Sequence, residues 1–494
     1  MSVPTNPSQR ALLASLWLVP AALALALLPQ PAVEAALVAL GALALAALAV
    51  WYPAAGLGLA ALAVPFGRLG PLAAAGMAGM AVPIALGMAG IGMGLRAGGV
   101  GMRAGSAGRA SEGHGMPSGL IAALLAYLAI HAVSAWRAPS LEAAVLESGR
   151  WVELALAGGL AAGLAGRRER ALVVAALLVA GALACGAGAW LALYGFGPEA
   201  FAVGGRGFSR AHWPFGQPNP FGGYANLVWP LGAAVAVVGL ERGGPRRLAP
   251  IGALAAAVSL IGLGLSWSRG AWLAAAAGGA AMALAWLAHG LCAHRPARLV
   301  ATWAMATALV AALAFGALRP PAGIAARLAS VAAGVPGQAV GTLGLPDVRD
   351  AEVTDASFAT VERLAHWQAA VDMWAERPWL GQGPGHYALA YPRYRFGQWA
   401  DPLGHAHNYY LHALAETGIL GLAAFGALLA LALALGVRSA VAPRSGMEAA
   451  LGLGLVGALT ATAVHSAFDN LWVHELLVHV GLMAGLAIAA RRQP

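Results

Sequence analysis

Residues 171–194 read ALVVAALLVAGALACGAGAWLALY, 24 positions without a charged or amide side chain. As a helix this run is about 36 Å long, enough to cross a hydrocarbon core of about 30 Å. No water is available there to satisfy the backbone, so the segment must close its own hydrogen bonds as a helix. Similar runs recur near 11–29, 33–51, 53–67, 71–95, 118–136 and 150–166, then near 222–240, 248–266, 271–290, 299–317, 408–436, 447–467 and 471–490. The run at 53–67 is short and interrupted by Gly and Pro, so the reading is about 12–14 transmembrane helices. A 60% hydrophobic, 10% charged composition and a mean hydropathy of +0.73 exclude an ordinary soluble domain. The fold class is an all-α polytopic membrane protein with one long external loop.

All 29 basic residues are arginine, so chemistry through a lysine Schiff base or lysine general base is excluded. A net charge of +9 in a membrane chain reflects loop anchoring rather than nucleic-acid binding. With the N-terminus inside, 16 arginines fall in cytoplasmic segments and six in short outer loops, counting Arg150 and Arg210 among the six. That bias predicts both termini in the cytoplasm and the 318–404 loop outside. The apolar run after Arg10 reads as a retained first span. Cys185 and Cys292, far apart in or beside apolar runs, suggest neither a disulfide nor a zinc site.

Polar residues at membrane depth are costly and ask for a function. They collect on the outer side. His405, His407, Asn408, His412 and Glu416 stand where the long loop enters the span at 408, and Arg210, His212, Gln217 and Asn219 precede the span at 222. Ser266-Trp267-Ser268-Arg269-Gly270 makes a tight turn between two spans, and His465, Asp469 and Asn470 line the last outer turn. Within the long loop, Val361, Leu364, Trp367, Val371 and Trp374 mark one apolar face of a helix over 357–376. This helix carries Arg363, is expected to cap the outer membrane face, and ends before Pro378 and a Gly381–Gly385 turn.

Arginine forks match phosphate oxygens and stay charged, so several of them around a histidine suit a transferase that uses a phosphorylated leaving group. His405 and His407 alternate and no carboxylate of ligand spacing accompanies them locally, so no metal is expected. There is no Gly-rich phosphate loop with a lysine, so nucleotide is not expected as cofactor or donor. Glu416 would lie two or more turns below the helix mouth, on the face of His412.

His407-Asn408, nine residues, then Gly418-Ile419-Leu420-Gly421 resembles the signature of the O-antigen ligase and O-antigen polymerase superfamily. Ser268-Arg269-Gly270 with Trp272 resembles that family's Ser-Arg-Gly turn, and Pro218-Asn219-Pro220-Phe221 its Asn-Pro-Asn stretch, here preceded by Gln217. Arg363, Trp367, Pro378, Gly381 and Gly383 resemble its external-loop helix and turn. The resemblance covers roughly 200–470. It divides the chain into N-terminal helices (1–199), a ligase-like core (200–470, with external loop 318–406) and a last helix with tail (471–494).

The resemblance implies a metal-independent C-type glycosyltransferase fold in the bacterial inner membrane, with its active site facing outside. The donor would be an undecaprenyl-diphosphate-linked glycan, and transfer would proceed with inversion at the anomeric carbon. The acceptor would be a glycan, lipid A-core or protein hydroxyl, and a chain-length regulator is a possible partner. His407 would be the catalytic base, with Arg269 and Arg210 gripping the diphosphate. Arg363, Asn408, Asn219, His405, Glu416 and Asp469 are the remaining substrate-binding candidates. Rival readings are an O-linked protein oligosaccharyltransferase and a membrane transporter.

Overall fold

The computed structural model describes residues 45–66 (46 apart), 81–101, 117–292 (204–206 and 242 apart), 348, 353, 358–441, 446–473 and 475–492. The expected spans at 11–29 and 299–317, and most of 33–51, lie outside these residues, as do Arg206 and the start of the long loop.

The described chain is a helical bundle. Its helices are α1 (Pro53–Phe66), α2 (Ala81–Gly101), α3 (Ser118–Ala135), α4 (Leu141–Ala162), α5 (Arg167–Leu193), α6 (Pro218–Gly239) and α7 (Ala249–Leu265). They continue with α8 (Arg269–Cys292), α9 (Phe358–Glu376), the single turn α10 (Tyr387–Ala390), α11 (Tyr409–Ala440), α12 (Gly446–His465) and α13 (Leu476–Arg491). A two-residue antiparallel ladder, β1 (Ala202–Val203) with β2 (Phe208–Ser209), closes the loop before α6. Six helices are long and apolar enough to cross a membrane: α3, α5, α6, α8, α11 and α12. Four shorter apolar segments coincide with α1, most of α2, α7 and α13. The chain is a multi-pass, all-α membrane protein.

In lipid, helices associate through close packing rather than through a hydrophobic drive, and small residues permit it. The α4–α13 contact shows this: a Cβ added to Gly485 would stand 2.2 Å from the Gly158 carbonyl oxygen. The α4 helix begins at Leu141, nine residues before the expected span. Arg150 therefore lies within the helix, paired with Glu147 at 2.6 Å, and not in an outer loop.

The decisive feature is a bend in α11. Gly418 has φ 66° and ψ −169°, a conformation essentially confined to glycine. Tyr409 and Phe425 are sixteen residues apart, which a straight helix would separate by about 24 Å, yet their ring centroids are 5.0 Å apart. The outer arm, 409–417, therefore runs away from Tyr409, and the inner arm, 419–440, returns past it. The backbone groups freed at the bend pair with the segment after α9. Ile419 N–H donates to Pro378 O (2.9 Å) and Leu420 N–H to Trp379 O (3.4 Å). Gln382 N–H and Gly383 N–H donate to Ala415 O (2.9 Å) and Glu416 O (2.8 Å). Glu416 ends the arm before the bend, two turns after Tyr409 and on the face of His412 as the sequence suggested.

The amphipathic helix forms as α9 but turns a different face inward. Val361, Ala365, His366, Gln368, Ala369, Ala370, Val371 and Met373 are buried, whereas Trp367 and Trp374 are only partly so. Ala369, Ala370 and Met373 pack with Tyr387, Tyr391, Ala406 and Ala415, so this face of α9 rests on protein.

Candidate active site

Four turns meet where α11 begins. Tyr409 N–H donates to Ser466 O at 2.7 Å, joining the His405–Asn408 segment to the turn after α12. A Cβ on Gly270 would stand 3.1 Å from both His465 Cδ2 and Phe468 Cβ, so the first turn of α8 lies against that same turn. The Asn219 amide, in the first turn of α6, donates to Asp469 Oδ2.

Asp469 is the hub. It is buried (3% exposed), and its Oδ1 accepts the Asn470 N–H at 2.8 Å. That same oxygen faces His407 Nδ1 at 3.5 Å and His405 Nε2 at 3.6 Å. Burial alone would raise the carboxyl's pKa. The facing imidazoles of His407, His405 and His465 outweigh it and hold the group well below the usual carboxylate range. His405 is pushed down to about 4, chiefly by burial, and is neutral. Its Nδ1 accepts the His407 backbone N–H at 3.1 Å, so its proton resides on Nε2, toward Asp469.

His407 has a left-handed backbone (φ 52°). This strain aims its Nδ1 at Asp469, and its carbonyl accepts from Trp367 Nε1 at 3.4 Å. A proton on Nδ1 leaves Nε2 as a base, the geometry of a carboxylate-oriented imidazole. Among the described residues, Trp267, two residues before Arg269, and Leu403, four before His407, also have positive φ. Concentrated strain of this kind marks functional sites.

Three guanidinium groups lie within electrostatic reach of one another here, and Arg210 also reaches the Asp469 carboxylate. Arg210 Nε donates to Ser266 O at 3.0 Å, which ties the loop before α6 to the turn that carries Arg269. The Arg210 pKa is pushed down to about 10, first by burial and then by the charges of Arg363 and Arg269, with Asp469 opposing. Arg363 reaches the group from α9, with its Nε buried and without a hydrogen-bond partner. Three cations gathered near one carboxylate leave an excess of positive charge in a partly desolvated place, an arrangement that suits an anion.

The structure therefore brings His407, His405, Asp469, Asn219, Arg210, Arg269 and Arg363 together. Asn408 lies beside them, but its Oδ1 caps α11 by accepting from Tyr410 N–H (3.0 Å) and Leu411 N–H (3.2 Å). Glu416 serves elsewhere: its carboxylate accepts Gly385 N–H and Tyr387 N–H, both at 2.8 Å, and faces His412 at 3.5 Å. It pins the glycine turn to α11.

His366 escaped the sequence reading. Its ring stacks on Tyr391 (4.7 Å), meets His407 edge-on (5.8 Å) and bonds the Tyr387 hydroxyl (3.1 Å). The signal was its spacing, three residues after Arg363 on α9. The ligand atoms of His405, His407 and Asp469 lie within 4.8 Å of one another, so the carboxylate absent from the local sequence is supplied by a distant turn. Both imidazoles face a single oxygen beside three cations. That favours orientation of the rings over cation binding.

Residues 254–426 match the family model described as O-antigen ligase. The match covers about a third of the chain, from α7 to just past the α11 bend, and supports the O-antigen ligase and polymerase superfamily as its family. It takes in Arg269, Arg363, His405, His407, Asn408 and Glu416, while Arg210, Asn219 and Asp469 fall outside it. No curated protein matches the chain.

Proposed function

We propose that this protein moves a glycan from undecaprenyl diphosphate to an acceptor hydroxyl on the outer side of the bacterial inner membrane, as an O-antigen ligase or polymerase. The observation that carries this reading is an imidazole oriented by a buried carboxylate beside three arginines. His407 Nε2 takes the proton of the acceptor hydroxyl as its oxygen bonds to the anomeric carbon. The bond from that carbon to the diphosphate oxygen breaks, and the leaving diphosphate stays on Arg210, Arg269 and Arg363. Attack opposite the leaving group inverts the anomeric centre. No nucleotide is consumed, because the donor is already activated.

A small apolar crevice lies between the helices beside this corner of the bundle. Leu124, Trp151, Phe425, Leu428, Trp472 and Val480 line it, and Trp472 is three residues from Asp469. The test is transfer by the purified protein from undecaprenyl-diphosphate glycan to lipid A-core, glycan or protein acceptors. His407→Ala is expected to lower the rate about 10²–10⁴-fold and Arg269→Ala about 10–10³-fold. Transfer that persists at wild-type rate in both variants overturns the roles. The acceptor consumed separates ligase, polymerase and protein oligosaccharyltransferase.

A further inference from the structure

Two exposed aromatic side chains stand on the turns that carry Arg269 and Asp469. Trp267 and Phe468 are each 38% exposed, in a region where most aromatic rings are buried. Phe468 lies against Gly270, where a Cβ would crowd it. Trp267 precedes Arg269 by two residues. Both residues therefore adjoin the turn that carries Arg269.

Trp267 is held there at a cost. Its φ of 50° is disfavoured for a bulky residue, and a glycine would relax the turn. Neighbouring bonds keep the conformation. Ser266 Oγ donates to Leu263 O (2.7 Å) and accepts Ser268 N–H (3.2 Å), while Arg210 fixes the Ser266 carbonyl. The indole leans on Trp272 (centroids 5.9 Å, 52° between planes), itself anchored by Nε1 on Leu263 O at 2.9 Å. A tryptophan that only marks the bilayer interface needs no strained backbone and no such bracing.

We infer that Trp267, with Phe468, forms a stacking platform for the sugar ring attached to the donor diphosphate. The C–H face of a pyranose presents partial positive charge to the negative face of an aromatic ring, while its hydroxyl rim stays in water. A sugar on a diphosphate held by Arg269 would meet an aromatic face immediately beside it. The platform contributes recognition of the transferred glycan, separate from the grip on its leaving group. It rests on the donor reading above.

The test compares binding of two ligands to the full-length protein in detergent: the lipid-diphosphate glycan, and the same lipid diphosphate without sugar. Trp267→Leu keeps apolar bulk but loses the aromatic face, whereas Trp267→Tyr keeps that face. The Leu variant is expected to weaken the glycan-bearing ligand roughly 3- to 10-fold and leave the bare one unchanged, with Tyr restoring most of the difference. Phe468→Leu should act in the same direction. Equal weakening of both ligands by Trp267→Leu would make Trp267 a support for Arg269, and no change in either would make it a bilayer contact. Each result overturns the platform while leaving the donor reading intact. A wild-type protein that binds neither ligand removes both.

Discussion

Asp469 shows how one buried side chain sets the chemistry of its neighbours. It receives two hydrogen bonds from Asn219 and Asn470 and faces two imidazoles through one oxygen. Asp469→Asn keeps the volume but removes the charge that orients His407. Its expected effect is a fall in kcat of about 10²-fold or more, with the KM for donor changed less than threefold, because the arginines proposed to hold the diphosphate remain. Parallel losses in binding and turnover would show instead that Asp469 only holds the fold. Arg363 adds the complementary lesson. A guanidinium nitrogen buried without a partner costs stability unless something else compensates, and the diphosphate supplies that compensation in the proposed complex.

At the scale of elements, the bend in α11 explains the spacing between His407 and the paired glycines. The inner arm of 22 residues spans about 33 Å, long enough to cross the membrane by itself. The outer arm is free to fold back and hold the glycine turn, which in turn carries α9 and Arg363. A Cβ at Gly418 would stand 2.3 Å from the Trp379 carbonyl carbon, in a backbone conformation it cannot relax. Gly418→Ala is therefore expected to destabilise the protein by about 2–4 kcal/mol and abolish transfer, as read by thermal unfolding and activity in detergent. Gly421→Ala should be milder: the added atom also crowds Thr417, but Gly421 does not hold the left-handed backbone that strains any side chain at Gly418. Equal effects of the two would disprove this account of the bend.

At the scale of the whole molecule, the loop-side assembly is built around neutral imidazoles. Burial, together with the neighbouring histidines, pushes His366 down to about 4, and His405 is likewise held at about 4. The unfolded residues take up protons below about pH 6.5. Between about pH 6.5 and 4 the unfolded state thus binds more protons, and stability falls as pH falls. The unfolding temperature should drop by several degrees from pH 7 to pH 5, and His366→Phe should flatten that slope. A slope unchanged by the substitution would dissociate His366 from it.

The sequence determined the solvent and therefore the fold class, since long uncharged runs leave a backbone in lipid no option but helix. It also named His407, because an imidazole at a membrane edge followed by paired glycines is a local pattern. It could not show that α11 folds back at Gly418, because hydropathy is indifferent to a bend whose cost is met by hydrogen bonds from residues 378–383. Nor could it rank the polar candidates. Glu416 and His407 lie nine residues apart, yet one accepts backbone amides of a turn and the other faces the buried Asp469 carboxylate. Asp469, Arg210 and Asn219 entered the site through packing between elements that are remote in sequence. Only the tertiary structure could decide that, because the forces joining them act across turns that no local spacing records.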